Sequence, residues 1–367
     1  MPEKTKILHL IPRFSFGGAE NLVLEYARLF DPEKYEVKVV AVRPNKDKNT
    51  AMMQYFKDVG VEVFAVSCAE HGGVWWQWGA LRKFVKDYNP DIIHSHIFSG
   101  DIYGFCLRRL VAPRAKWIST QHNIELNTRW WRRLAWNMIL PQADRVIAVS
   151  EEVKKYTSEN FGVLKDKLEL LPNGISLEKW LAVPDLKFMK NGELRLATIG
   201  RLETQKGHRY LVEALAQLKD LKWHWDIYGD GSLEIYFKEK IKKGGLQERV
   251  SWYQSGGGMD QKIKDADMIV QPSLWEGMSL VIMEAMASGK LLITTTVAGE
   301  ELVVHGENGY LVPAKDVQEL ARTIKYYYEH ADEAERLAHS ARQYARTHFD
   351  LKDNLAGLEE IYGEVLN

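Results

Sequence analysis

At 367 residues the chain exceeds what a single hydrophobic core usually holds and suits two domains of ordinary size. Hydrophobic residues at 46% and charged residues at 27% exclude a disordered chain, and 49 Lys plus Arg against 50 Asp plus Glu exclude a general electrostatic trap for nucleic acid. The two cysteines, Cys68 and Cys106, have no metal-ligand spacing and make no disulfide framework; they fit free thiols in a reducing cytoplasm.

Met1 to Lys6 run straight into a strand-like Ile7–Ile11, an apolar run too short for a signal peptide. No stretch approaches the roughly 18 apolar residues of a membrane span. A cytoplasmic protein is expected, in contact with a membrane at most peripherally. Further strands are predicted at Val37–Val42, Val61–Val66, Ile92–His94, Trp117–Thr120 and Arg145–Val149, with helical segments between them such as Asn21–Phe30. Turn residues gather at Pro172-Asn173-Gly174, and the polar stretch from Pro184 to Asn191-Gly192 reads as interdomain. The alternation then restarts at Leu194–Ile199, Trp223–Tyr228, Val250–Tyr253, Met268–Gln271 and Leu291–Thr295, and from Val317 the chain is helical and charged. Such alternation predicts an α/β protein with two Rossmann-like domains facing a central cleft. The boundaries are 1–174, a linker 175–192, a second domain 193–345, and a C-terminal helix within 346–367 that packs back on the first domain.

Doubly wound sheets bind ligands at the carboxyl ends of their strands, and three motifs fall there. The loop Arg13-Phe14-Ser15-Phe16-Gly17-Gly18-Ala19-Glu20 places paired glycines before a helix, where backbone amides can approach an anion; alone it also fits a plain tight turn. It is not the dinucleotide fingerprint, and no acidic residue closes the second strand, which counts against NAD. In Gly200-Arg201-Leu202-Glu203-Thr204-Gln205-Lys206-Gly207 two cations bracket a helix start, as a diphosphate leaving group requires. From Pro272 to Gly289, Glu276 and Glu284 stand with seven residues between them. Glu276 precedes the helix and can meet sugar hydroxyls, while the amides around Gly277, Met278, Ser279 and Leu280 face a phosphate. Glu284 sits in a helix apolar nearly all round, where a carboxylate needs partners such as ribose hydroxyls.

These residues resemble family 4 of the retaining GT-B glycosyltransferases, whose mark is this Glu-x7-Glu pattern. The likeness runs through Gly17-Gly18-Ala19-Glu20, Pro90 to His96, Thr120-Gln121-His122, Ala148-Val149-Ser150, Leu171 to Ile175, Gly200 to Gly207, Tyr228-Gly229-Asp230-Gly231 and Asp267 to Ser273, and on to Glu301, Gly306 and Asn308-Gly309. The resemblance implies that Arg201 and Lys206 bind the donor diphosphate and that the Gly17–Gly18 loop closes over it. It implies that Glu276 holds the donor sugar, Glu284 the ribose, and that His122 touches sugar or acceptor hydroxyls. It also implies retention without a metal or other cofactor, the leaving phosphate oxygen taking the acceptor proton. Catalysis would then be mainly electrostatic.

The family usually reads Phe-Leu-Gly where this chain has Trp252-Tyr253-Gln254, followed by Ser255-Gly256-Gly257-Gly258. Tyr253 lies where the base is framed, so UDP-sugar, favoured by family frequency, and GDP-sugar both stay open. The family's later Gly-Gly-x-Pro-Glu run is shortened here to Ala298-Gly299-Glu300-Glu301.

Asp265-Ala266-Asp267 has the D-x-D form of metal-dependent enzymes but leads into a strand and reads as structural. His94 and His96, on the acceptor side, lack a third ligand for a metal and read as loop histidines near the cleft. Between Arg108 and Arg133 there are seven basic residues and one acidic, Glu125, with Trp117, Trp130, Trp131 and Trp136 in or beside them and Trp75, Trp76 and Trp78 earlier. Such mixing fits an anionic membrane surface or a lipid-linked diphosphate, and equally fits core tryptophans beside solvated arginines. The expected function is hexosyl transfer to a saccharide or lipid-linked acceptor in surface polysaccharide, lipopolysaccharide or glycolipid synthesis. The alternatives are a nucleotide-sugar hydrolase or epimerase and a non-catalytic nucleotide-sugar-binding subunit.

Overall fold

A computed structural model of the chain describes residues 3–43, 51–66, 73–124, 129–254 and 256–367. Cys68, Glu125, Ser255 and the side chains of Trp75 and Trp76, used in the sequence reading, lie outside the described residues. The chain divides into two compact units, Met1–Asn173 with Lys352–Asn367, and Gly174–Leu351.

The first unit is built on seven parallel strands: β1 (Thr5–Ile11), β2 (Tyr35–Ala41), β3 (Glu62–Ala65), β4 (Ile92–His96), β5 (Lys116–Gln121), β6 (Arg145–Ala148) and β7 (Leu168–Leu170). Their order is β3-β2-β1-β4-β5-β6-β7. Ile7, Leu8, Leu10 and Ile11 are all buried, so β1 is covered on both faces, as a continuous apolar strand in a parallel sheet must be. Local signals set the helix starts. Ser150 accepts a hydrogen bond from the Val153 amide and, with Glu151 and Glu152 in the first turn, opens the helix Glu151–Asn160. Asp101 is fully buried and takes hydrogen bonds from Ser95 (2.7 Å), Ser119 (2.6 Å), Gln121 (3.0 Å) and the Trp136 indole (2.8 Å), which ties β4, β5 and the helix Trp130–Ile139 together. Burial raises its carboxyl above the usual range against the pull of those four donors.

The helix Leu351–Leu366 is, from Lys352 onward, part of this first unit. Tyr26 donates to Asn354, Asn354 to the Pro172 carbonyl, and Tyr362 lies 2.6 Å from His94 Nδ1.

The second unit repeats the plan with six parallel strands: β8 (Leu194–Ile199), β9 (Trp223–Tyr228), β10 (Val250–Tyr253), β11 (Met268–Gln271), β12 (Leu291–Thr295) and β13 (Tyr310–Val312), in the order β10-β9-β8-β11-β12-β13. Each sheet reverses direction of growth once, at β1/β4 in the first unit and at β8/β11 in the second. These switch points open crevices at the strands' carboxyl ends, which is where doubly wound folds bind ligands.

The stretch 175–192, read above as a linker, is woven into the second unit: Trp180 and Phe188 are buried in its cores, and the Phe188 amide donates to Glu335. Both Asp267 oxygens are taken by backbone amides, of Met189 (3.1 Å) and Arg195 (2.8 Å), so this member of the D-x-D pair clamps that stretch to the sheet. Among the described residues no helix is long and apolar enough to cross a membrane.

Candidate functional site

In the second unit the loops after β8 and β11, adjacent at the switch point, are stitched to each other. The Leu274 amide donates to the Gln205 carbonyl (2.7 Å), and the Gln205 side chain donates to the Trp275 carbonyl (2.9 Å). Their close approach explains Gly207: its φ is 63° and a Cβ would run into the Pro272 carbonyl oxygen, so no other residue fits. Gly200, at φ 142°, likewise turns the chain out of β8 and leaves room for the Lys206 side chain.

The stitching brings Lys206 and Glu276 together. Lys206 Nζ lies 2.6 Å from Glu276 Oε1, the Ser273 hydroxyl donates to the same oxygen at 2.7 Å, and Gln205 reaches Oε2 at 3.4 Å. Both charged side chains are largely buried, with 14% and 10% of their surface exposed. The two residues expected on diphosphate and sugar are therefore direct partners. Arg201 stays exposed and makes no ion pair among the described residues. Just beyond Glu276, Ser279 precedes the helix Leu280–Ala287, and its side chain makes no capping hydrogen bond. Such amides, with the helix dipole behind them, are suited to an anion. Gly277, Met278 and Leu280 are half-buried around this helix start, and Glu284 is half-buried in the helix itself. Tyr253, at the end of β10, is 43% exposed and stacks on Tyr228, with ring centroids 4.8 Å apart and planes 16° from parallel.

In the first unit Gly17 and Gly18 begin the helix Gly18–Leu29 directly after the β1 loop, again with no side-chain cap. The β1/β4 register sets His9 beside His94, and His96 stands two residues further along β4. The expectation of loop histidines is corrected: both lie in the strand and are buried, because β4 continues three residues past its apolar Ile92 and Ile93. Ile97, a β-branched residue at φ 64°, turns the chain straight from His96 into the helix Ile97–Leu110, a backbone conformation that costs about 1–3 kcal/mol. His94 is held between Thr120 (2.7 Å) and Tyr362 (2.6 Å). His96 Nδ1 lies 2.9 Å from His122 Nε2, and His96 Nε2 lies 3.0 Å from His9 Nδ1. Burial holds His9 at about 3, His122 at about 4, and His94 and His96 well below their ordinary value, so all four rings are neutral.

Residues 16–179 match the family described as Glycosyltransferase Family 4, and residues 193–330 match the one described as Glycosyl transferases group 1. The fold agrees: a structure of HepE from Anabaena, solved with UDP and glucose, superposes with a TM-score of 0.85 at 21% identity, covering 98% of this chain and 100% of that one. The chain belongs to the GT-B glycosyltransferases. Among curated relatives, this glycosyltransferase is 23% identical to an uncharacterised glycosyltransferase of Methanocaldococcus jannaschii, over 96% of each chain. It is 25% identical to the UDP-Gal:alpha-D-GlcNAc-diphosphoundecaprenol alpha-1,3-galactosyltransferase of Escherichia coli, over 88% of this chain and 87% of that one.

Three participants in the glycosyltransferase's clusters were given no role by the sequence: Ser273 and Gln205 lie inside quoted motifs and His9 in none. Ser273 and Gln205 support Glu276, and His9 joins the β4 histidines from an ordinary-looking strand. His9 also corrects the view that His94 and His96 lack a third neighbour, since ligand nitrogens of all three lie within 4.8 Å of one another. In this arrangement both His94 nitrogens meet hydroxyls and the His9–His96 contact is a hydrogen bond, so the three lone pairs do not converge on one point.

Proposed function

We propose that this glycosyltransferase transfers a hexose from a UDP-sugar to a lipid-linked saccharide with retention of anomeric configuration, using no metal ion at the donor. The observation that carries this reading is the Lys206–Glu276–Ser273 cluster beside the uncapped start of the helix Leu280–Ala287. It offers a cation and helix-start amides for a pyrophosphate and a carboxylate for sugar hydroxyls, with Arg201 as a second cation. The C1–O bond to the β-phosphate breaks with its electron pair going to the phosphate oxygen. The acceptor oxygen bonds C1 on the same face, and its proton passes to that phosphate oxygen. Glu284 is assigned to the ribose, the Gly17–Gly18 loop to the phosphates, and His122 to sugar or acceptor hydroxyls. The UDP-bound HepE and the diphosphoundecaprenol-dependent relative support the choice of donor and acceptor class.

Thermal-shift titration with UDP, GDP, ADP and their sugars tests the donor. UDP and a UDP-sugar are expected to stabilise by about 2.7 kcal/mol at a hundredfold excess over Kd; a response to GDP alone sinks the uridine assignment. The exposed Tyr253 ring, backed by Tyr228, serves as the base platform. Tyr253→Ala is expected to weaken UDP binding roughly 5- to 150-fold through loss of about 1–3 kcal/mol of stacking, as titration calorimetry would read. Turnover that disappears with EDTA and returns with Mg²⁺ would remove the metal-free mechanism. Rapid UDP release without acceptor would favour a hydrolase.

Membrane contact belongs to the same reading. The helix Trp130–Ile139 buries Trp136 and Ile139 on one side and exposes Trp130 (74%), Trp131, Leu134 and Met138 (72%) within one stripe of the other, with Arg129 and Arg133 exposed beside it. Aromatic and apolar side chains flanked by arginines suit the headgroup boundary of an anionic bilayer. The chain is expected to float with phosphatidylglycerol-rich vesicles, and Trp130→Ser with Met138→Ser to lose most of that binding; equal flotation of the double variant would contradict the assignment.

A further inference from the structure

His9, His96 and His122 form a row of three imidazoles. Their ring centroids are 5.3 and 5.2 Å apart, too far for face stacking, while the nitrogens between them approach to 3.0 and 2.9 Å. The rings thus run edge to edge, each contact holding one hydrogen. Because each neutral ring carries one N–H, the row has only two states. In one, His122 Nε2–H donates to His96 Nδ1 and His96 Nε2–H donates to His9 Nδ1. The proton of His9 then sits on Nε2, which is buried and has no hydrogen-bond partner among the described residues. In the other, His9 Nδ1–H donates to His96 Nε2 and His96 Nδ1–H donates to His122 Nε2. His9 Nε2 is then a bare lone pair, and His122 carries its proton on Nδ1.

The second state is favoured, since a buried N–H without an acceptor is the rarer and costlier orphan, and an unmet acceptor is tolerated more often. His94, the fourth ring, does not disturb the row, because both its nitrogens are met by hydroxyls that can donate or accept. The strand-to-helix turn at Ile97 fixes the backbone that aims His96. His122 Nδ1 has no partner among the described residues, so its N–H is left for a ligand.

We propose that His96, held by His9, is a positioning residue that locks His122 in the Nδ1–H tautomer, so that it meets substrate as a hydrogen-bond donor and not as a proton acceptor. This rests on the reading above that His122 meets sugar or acceptor hydroxyls. A donor there leaves the acceptor's own proton free to go to the departing phosphate.

Long-range ¹⁵N–¹H correlation spectra of the labelled full chain near neutral pH read the tautomer directly, with His122→Gln assigning the resonance. The expected result is a His122 ring protonated on Nδ1 alone. Finding Nε2–H or imidazolium in the wild-type protein overturns the proposal, and this measurement needs no variant to fold. His9→Leu moves the orphaned nitrogen to His96 Nε2, where an unmet lone pair is again favoured over an unmet N–H, so the His122 tautomer is expected to stay Nδ1–H. His96→Leu removes the donor to His122 Nε2 and is expected to give a mixture of His122 tautomers and a kcat about tenfold lower, with donor KM unchanged. A His122 tautomer unchanged in His96→Leu overturns the relay. Wild-type turnover in His122→Gln, with the tautomer as expected in the wild type, overturns instead the substrate contact assigned to His122.

Discussion

Lys206→Met is expected to lower turnover by about 10²–10³-fold, the loss seen when one preorganised charge-stabilising group is removed from developing negative charge. The structure adds a second consequence. Lys206 is the ion-pair partner of Glu276 at 2.6 Å, and both side chains are largely buried. Removing the cation leaves a carboxylate with only Ser273 and Gln205 to support it. Breaking a buried pair from one side costs about 3–5 kcal/mol when fully dry. With the residual exposure here about 2 kcal/mol is expected, a fall in melting temperature of about 4–8 °C for a unit of this size. The double variant Lys206→Met with Glu276→Gln separates the two effects. Neutralising the carboxylate is expected to restore most of the stability and none of the turnover. Full activity in Lys206→Met would remove the cation from the mechanism. Stability that stays low in the double variant would mean that the pair is not its source.

Acid is expected to unfold this protein well before its carboxylates titrate. In the unfolded chain the histidines protonate near 6.5, whereas burial holds His9 at about 3, His122 at about 4 and His208 at about 3 in the folded one, with His94 and His96 also far down. As pH falls through 6.5 the unfolded state therefore binds protons that the folded state refuses. The histidine contribution is fully present above about pH 6.5 and is lost progressively down to about pH 4 for His122 and about pH 3 for His9 and His208, each ring withdrawing ~1.4 kcal/mol per pH unit. Four such rings in the first unit reach the whole stability of an ordinary domain, about 5–15 kcal/mol, within one to three pH units. Urea unfolding followed by tryptophan fluorescence should show a midpoint falling steeply between about pH 6.5 and about pH 5. An identical midpoint at both ends of that range would mean that these rings are not buried neutral.

Much of the architecture was legible because it is encoded locally. Leu194–Ile199, Trp223–Tyr228, Val250–Tyr253, Met268–Gln271 and Leu291–Thr295 form strands with those bounds, since short apolar runs between turn signals, alternating with helical segments, suit the strands of a parallel sheet. The edge strands β7 and β13 escaped notice because three residues carry no periodicity. The segment 175–192 looked like a linker because its few apolar anchors, Trp180 and Phe188, are far apart in a polar stretch.

Motif position alone put Arg201, Lys206, Glu276 and the Gly17–Gly18 turn after strand ends, where ligands of such sheets bind. The tertiary structure decided how those residues meet. The Lys206–Glu276 pair joins positions 70 apart and the His9–His96 contact positions 87 apart. Neither contact has a local pattern, because parallel pairing and the meeting of two loops depend on sheet order and register. Short-range periodicity thus determined which segments become strands and helices, while only the packed sheets determined which charges are neutralised and which nitrogen of His122 carries its proton.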